Sequence, residues 1–489
     1  RWGAPVITTI TIFIPLLGAI LVLLLPDEER LVRYAALGVA AVPLFLATYV
    51  YFAFGGDLGV AALSQDVTWI KSLNIGYRVG LDGLGFGMFF LSTFLTVIAV
   101  LASWDVRRNL KQYFAALFVA EVGMLGVFAA QDLILFYVFF EITLIPMYLL
   151  VGVWGDENRR PAAIKFFIYT FLGSTVMLAG FLAFGILADT YAMGALGGGG
   201  GLSRAAQVAV AAPILFGLLI KVPAVPLHSW LLDVYVSSPT STNVLLSGIL
   251  PKLGTYGLIK VAIPLLPQGV EPFLPYVAAF GVINIIYGSF VAFMQPDLKA
   301  LVAYSSIGTL GFILLGAVSG NAVGLNGAVF QQVSHGLYSA LLFILVGVIA
   351  ARTGTRRISE LGGLAARMPW AGGLLALGAL AAMGLPGLAV FVSEFMSIMG
   401  GYVAFPVQGV LAAFGIILSA MYLLYMLARV IFGPIERPEY EAISDAGPIE
   451  MASVVPLAVL LVLLGVFPAL LIGIQRPAVE AVLSVIGGS

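Results

Sequence analysis

The sequence predicts an all-α polytopic membrane protein of about fourteen transmembrane helices, with two inverted five-helix repeats and a broken helix in each. Three observations carry that prediction. Of 489 residues, 61% are hydrophobic and only 10% are charged, with a mean hydropathy of +1.09. A water-exposed surface needs far more charge than this. Apolar runs of about 20 residues recur from end to end, each long enough to cross a hydrocarbon core of roughly 30 Å. Finally, proline and glycine interrupt two of those runs at corresponding places, near Pro223 and near Pro386.

Composition also excludes function classes. The net charge is −1 and gives nucleic acid no footing. There are no cysteines, so thiolate-ligated iron–sulfur centres and disulfides are excluded. Two histidines are too few for a bis-histidine haem and a further histidine site. No cofactor and no metal are expected in this chain, and any electron transfer is expected in another subunit.

The spans are read in order at 5–25, 33–54, 83–103, 113–130, 133–153, 163–188, 206–228, 241–264, 273–294, 299–319, 326–351, 372–403, 405–432 and 451–473. Span 1 follows Arg1 without a cleavage site and reads as a retained helix. The loop 55–82, with VTWI and YRVGL, has the makings of a short hairpin. GALGGGGGLS reads as a flexible linker between spans 6 and 7. Span 7 carries Lys221, Pro223 and Pro226; span 12 carries Gly384, Pro386 and Gly387. Proline removes a backbone donor and clashes with the preceding turn. Paired broken helices mark an inverted-repeat transporter and its ion site. The chain therefore divides into helices 1–3 over 1–112, a first repeat (spans 4–8) over 113–264, a second (spans 9–13) over 265–432 and a C-terminal helix 14 over 433–489.

Basic residues favour one side. The odd loops carry Arg30, Arg33, Arg107, Arg108, Arg159, Arg160, Lys299, Arg352, Arg356, Arg357 and others; the even loops carry Lys71, Arg78, Arg204 and Lys260. The positive-inside rule places the odd loops in the cytoplasm and both termini outside.

Four charges lie inside apolar runs: Glu141, Lys221, Lys252 and Glu394. Each costs at least about 2.5–3.5 kcal/mol at the bilayer centre. Four such costs point to a conduit for protons or another small cation. A lysine beside a break can switch between charged and neutral forms, and Glu141 is the expected partner of Lys221. Lys252 follows Pro251 early in span 8. His228 and His335 titrate near neutral pH in water and can relay protons; Ser334 and Gln331 neighbour the second. Plainer readings stand beside these. Glu121 can serve a helix–helix hydrogen bond, His228 a helix end, and Lys165 can snorkel. Lys260 and Lys299 read as interfacial.

Several stretches together carry a resemblance: AAQDLILFYVFFEITLIPMYLLVGVWG, AAIKFFIYTFLGS, KVPAVPLHSWLLD with SSPTSTNVLLSGILPKLGTYGL, DLKALVAYSSIG, and SHGLYSALLFILVGV. They resemble the antiporter-like membrane subunits of respiratory complex I, a family that also includes Mrp-type antiporter and energy-converting hydrogenase subunits. The resemblance runs over most of the chain. It implies a proton-translocating subunit of NADH:quinone oxidoreductase that does no redox chemistry itself. It implies Glu141 and Lys221 as the input pair, Lys252 as the central lysine, His335 on the axis between the halves and Glu394 as the output residue. Glutamate in broken span 12 is similar to the ND4-type subunits, so ND2- and ND5-type subunits and lipid are the expected partners. An Mrp-type antiporter, a hydrogenase subunit and an inert scaffold remain the alternatives. Three positions depart from the family pattern. Thr309 stands where a histidine is expected, leaving Thr309, Ser305 and Ser306 with water, or His335, to carry the centre. Leu232, Asp233, Val234 and Tyr235 replace a run ending in a second histidine. Pro251 before Lys252 is unusual and is expected to kink that helix.

Overall fold

The computed structural model describes residues 4–55, 58, 63–435 and 437–487. In chain order the helices and strands are α1 Ala4–Leu24, α2 Glu29–Phe54, β1 Gln65–Ile70, β2 Ile75–Val79, α3 Gly83–Ala102, α4 Leu110–Ala129, α5 Leu133–Ile142, α6 Leu144–Trp154, α7 Arg159–Ala188, α8 Met193–Leu196, α9 Arg204–Lys221, α10 Ser229–Ser237, α11 Thr240–Gly248 and α12 Leu250–Gly257. There follow α13 Ile263–Leu265, α14 Pro267–Val270, α15 Leu274–Phe293, α16 Leu298–Ala317, α17 Ala322–Thr353, α18 Pro369–Ala382, α19 Ala389–Ala404, α20 Pro406–Val430, α21 Pro448–Val466 and α22 Ala469–Gly487. Among the described residues fourteen helical stretches, α22 included, are long and apolar enough to cross a membrane, and the halves of broken span 12 are shorter apolar helices. The hairpin expected in the 55–82 loop is present as β1 paired antiparallel with β2.

The predicted repeat has a visible signature. Asp132 caps α5 by accepting from the backbone of Ile134 and Leu135, and Asp297 caps α16 by accepting from Lys299 and Ala300. Each is also half of an isolated β-bridge, Asp132 with Ala192 and Asp297 with Arg357. The two bridges join residues equally far apart in the chain, on opposite faces of the helix bundle. Span 7 breaks between α9 and α10, and span 12 between α18 and α19. The freed backbone of the first break is satisfied from within the protein, as a break at membrane depth requires. Asn284 of α15 accepts the Val225 N–H at 2.8 Å and donates to the Pro223 carbonyl at 3.4 Å. The Trp230 indole donates to the Ile220 carbonyl at 3.0 Å.

Three expectations need correction. The fourteenth span does not run to 473. It ends at Val466 before Pro468, and a separate α22 follows. Although α22 has a span's length and composition, it packs against the starts of α3 and α17 and against α13, which lie on one face. The buried residues Leu471, Ile474, Gln475, Val479 and Val482 form one stripe along it, so it lies across that face as a surface helix. Second, the glycine linker is built structure. Gly198 to Gly201 take left-handed backbone, which glycine adopts without strain, and Gly199 packs closely against Gln207. Third, Lys260 and Lys299, though near the ends of their spans, are held by partners inside the protein. Lys260 meets Asp82 at 2.5 Å, and buried Lys299 donates to the Ser238 carbonyl at 2.5 Å.

Candidate proton-transfer site

The four predicted charges fall on three broken or kinked helices and on α5. Lys221 is the last residue of α9, where the chain breaks. Its ammonium is buried, 4.7 Å from the centre of the Phe140 ring and 5.9 Å from that of Phe166. The rings hold the cation by their negative faces while keeping water away. Glu141, next to Phe140 at the end of α5, is half-buried. It interacts electrostatically with Lys221 and lies beside the Ser174 hydroxyl. Among the described residues the two charges make no direct ion pair.

Lys252 shows how local sequence makes a site. A helix donates from residue i to the carbonyl of i−4, and Pro251 has no N–H to give Ser247. The helix breaks there: Ile249 leaves helical geometry and α12 starts at Leu250. The freed Ser247 carbonyl accepts instead from the Lys252 ammonium at 2.5 Å. The same ammonium is hydrogen-bonded to Nδ1 of His335 on α17. Both residues are fully buried. The expected kink at Pro251 is therefore the device that aims Lys252 at His335.

Beyond His335 lies a cluster of hydroxyls. Tyr338 sits edge-on to the imidazole with 5.1 Å between ring centres, and its hydroxyl meets that of Thr309 at 2.5 Å. The Tyr422 hydroxyl donates to Ser305 at 2.8 Å. On the far side, Glu394 on α19 accepts from Gln331 at 3.4 Å. Gln331 also accepts from Ser334 at 3.2 Å and from Ser393, and Ser334 and Ser393 share a bond of 2.9 Å. Among the described residues the other Glu394 oxygen has no protein partner, and it points toward Gly384 in the break. A Cβ there would come within 3.0 Å of that oxygen.

The structure thus brings Lys252, His335 and the Glu394 cluster into one buried row, with Lys221 and Glu141 at its first-half end. It leaves His228 aside. That histidine is half-exposed after the first break, bonded through Nε2 to the Tyr287 hydroxyl at 3.2 Å. Lys165 does more than snorkel, since it pairs with Asp233 at 2.8 Å. Glu121 is fully buried, and among the described residues neither of its oxygens has a hydrogen-bond partner of ordinary geometry. Tyr338 and Tyr422 escaped the sequence reading because a tyrosine in an apolar helix carries no local mark of an inward hydroxyl. Asn284 escaped for a similar reason. Only the break it repairs identifies it.

Buried polar rows joined to broken helices, in two opposed repeats, define a membrane ion-translocating protein. The family described as NADH:quinone oxidoreductase/Mrp antiporter, TM, matches residues 130–420. NADH-quinone oxidoreductase subunit M of Rickettsia bellii is 35% identical over 486 residues, 98% of each chain. That of Rhodobacter capsulatus is 35% identical over 488 residues, covering 96% of this chain and 95% of that one. Among solved structures, a chain of respiratory complex I from Thermus thermophilus superposes with a TM-score of 0.90 at 30% identity, covering 98% and 100% of the two chains. A chain of the Mrp complex from Dietzia sp. shares the fold with a TM-score of 0.87 at 20% identity, over the whole of both. This chain belongs to the antiporter-like membrane-subunit family of NADH:quinone oxidoreductases and Mrp antiporters.

Proposed function

We infer that this chain is a proton-translocating membrane-arm subunit of NADH:quinone oxidoreductase. It works beside other antiporter-like subunits. The observation that carries the reading is the bond between Lys252 and His335, where the two repeats meet. A charged ammonium and an imidazole fully removed from water are costly to hold, and a row that exchanges protons accounts for both.

In the proposed cycle Lys221 takes a proton from the cytoplasmic side while Glu141 shifts its pairing. The proton passes to Lys252 and His335, then to Glu394, and leaves on the outer side. Quinone reduction elsewhere supplies the energy as a change in electrostatics along the arm, and this chain holds no redox group. Glu394 in place of a lysine favours this reading over an Mrp-type antiporter. The basic loops with Arg107, Arg108, Arg159, Arg160 and Arg352 support a cytoplasmic placement of that face and an outer placement of both termini in the plasma membrane.

The test is to make Lys221→Ala and Glu141→Gln in the assembled complex. Proton pumping and coupled turnover should fall while assembly persists. Wild-type pumping in both variants would overturn the reading, and loss of the whole subunit from purified complex would favour a scaffold.

A further inference from the structure

The stretch between His335 and Glu394 is where the resemblance fails, since Thr309 replaces the expected histidine. The hydroxyl of Tyr338 stands on Thr309 at 2.5 Å. Tyr338 follows His335 by one turn of α17, so both side chains face the same way, and the rings meet edge to face. Tyr338 also lies beside Ser305, whose hydroxyl accepts from Tyr422 at 2.8 Å. Both tyrosines lie within electrostatic range of Glu394. Both phenols are buried at 2% exposure or less, so their hydroxyls are buried with partners that are themselves hydroxyls. Among the described residues Nε2 of His335 has no protein partner, which leaves it open to a water.

We propose that Tyr338, Ser305 and Tyr422 form a hydroxyl row that carries the proton from His335 to Glu394, with Thr309 orienting the Tyr338 hydroxyl. The proposal rests on the lateral path of the preceding section and names its missing middle. The transfer balances without any further reactant. Lys252 gives a proton to Nδ1 of His335 while His335 gives its Nε2 proton, through water, to the Tyr338 oxygen. Tyr338 passes its own hydroxyl proton to Ser305, Ser305 passes its own to Tyr422, and Tyr422 gives its own, through water, to the Glu394 carboxylate. Each hydroxyl oxygen makes one O–H bond and breaks one, and Glu394 ends as the neutral acid. The Tyr422 hydroxyl now donates to Ser305, so these two hydroxyls rotate to exchange roles before a transfer toward Glu394. Rotation of this kind is open to a hydroxyl and closed to a ring locked by two partners. Thr309 is a positioning residue, because its hydroxyl holds Tyr338 and bonds back to the Ser305 carbonyl at 3.3 Å.

The experiment uses the assembled complex in sealed membrane vesicles, with Tyr338→Phe, Tyr422→Phe, Thr309→Val and the control Lys252→Met. Proton translocation per NADH oxidised is read together with the solvent deuterium isotope effect and with assembly on native gels. Phenylalanine keeps the ring and its packing. The proposal expects Tyr338→Phe and Tyr422→Phe to slow translocation about 10²-fold, the lower scale of a lost proton-transfer group. Thr309→Val should give a smaller loss with an enlarged isotope effect. The double variant Thr309→His with Tyr338→Phe should recover most of the loss, because an imidazole there bridges the same gap. Were Tyr338→Phe to prevent assembly, the Tyr422→Phe and Thr309→Val results would decide alone. Wild-type translocation in both tyrosine variants while Lys252→Met fails would overturn this inference and leave the lateral path standing. Wild-type translocation in Lys252→Met would overturn both.

Discussion

The two ends of the buried row are built from opposite materials. Lys221 is enclosed by the rings of Phe140 and Phe166, and its carboxylate partner stands off without touching. Glu394 sits among an amide and serines, reached through Gln331, Ser334 and Ser393. An aromatic cage holds a cation and resists water, so a proton leaves it only when a neighbouring charge moves. A hydrogen-bonded cluster offers several acceptors at once, so a proton there is already halfway to its exit. The comparison teaches that the halves, though related by an inverted repeat, surround their buried charges differently. On the proposed path, that difference suits one end to loading under electrostatic control and the other to release.

The sharpest way to break that contrast is at Glu394. Glu394→Gln keeps the shape and the bond to Gln331 but cannot carry a proton away. Translocation should fall about 10²-fold, the lower scale of lost acid–base function, with assembly unchanged on native gels. Intact translocation would mean release happens elsewhere. Next in size is Lys260→Met, which leaves Asp82 buried without its partner. Removing one member of a buried pair costs about 3–5 kcal/mol, so the complex should lose thermal stability. Since the pair lies off the row, the proton yield of the surviving complex should stay normal. Gly384→Ala comes third. Gly384 has φ +74, where a Cβ costs roughly 1–2 kcal/mol, and the methyl would crowd the free oxygen of Glu394. A modest loss of stability with a clear slowing of turnover is expected, and neither effect should follow Gly373→Ala, where a Cβ meets nothing within 4 Å. The smallest effect belongs to Phe140→Leu. It removes a cation–π contact worth about 2 kcal/mol when desolvated, and should alter the rate of loading measured in single turnover without abolishing pumping.

Much of this was legible in the sequence. Apolar length located the spans, and Pro223, Pro386 and Gly387 located the breaks, because backbone chemistry is local. The four charges announced themselves by standing where none is tolerated. What the sequence could not give was pairing. That Lys252 reaches His335 depends on α11 and α12 lying along α17, and that Pro251 aims it depends on which carbonyl is left without a donor. Lys299 stands one residue into α16, and only the tertiary fold shows that the turn at Ser238 closes over it. The fourteenth span looked continuous because Phe467 and Pro468 interrupt a run that stays apolar on both sides. Hydropathy does not register direction, so it could not show α22 turning across the face.

The central claim is that Lys252 is an obligatory station between the halves. The direct measurement is the number of protons translocated per NADH oxidised by the Lys252→Met complex in sealed vesicles, beside its NADH:quinone turnover. The account predicts a fully assembled complex with a proton yield clearly below wild type. A wild-type yield at wild-type turnover would contradict it.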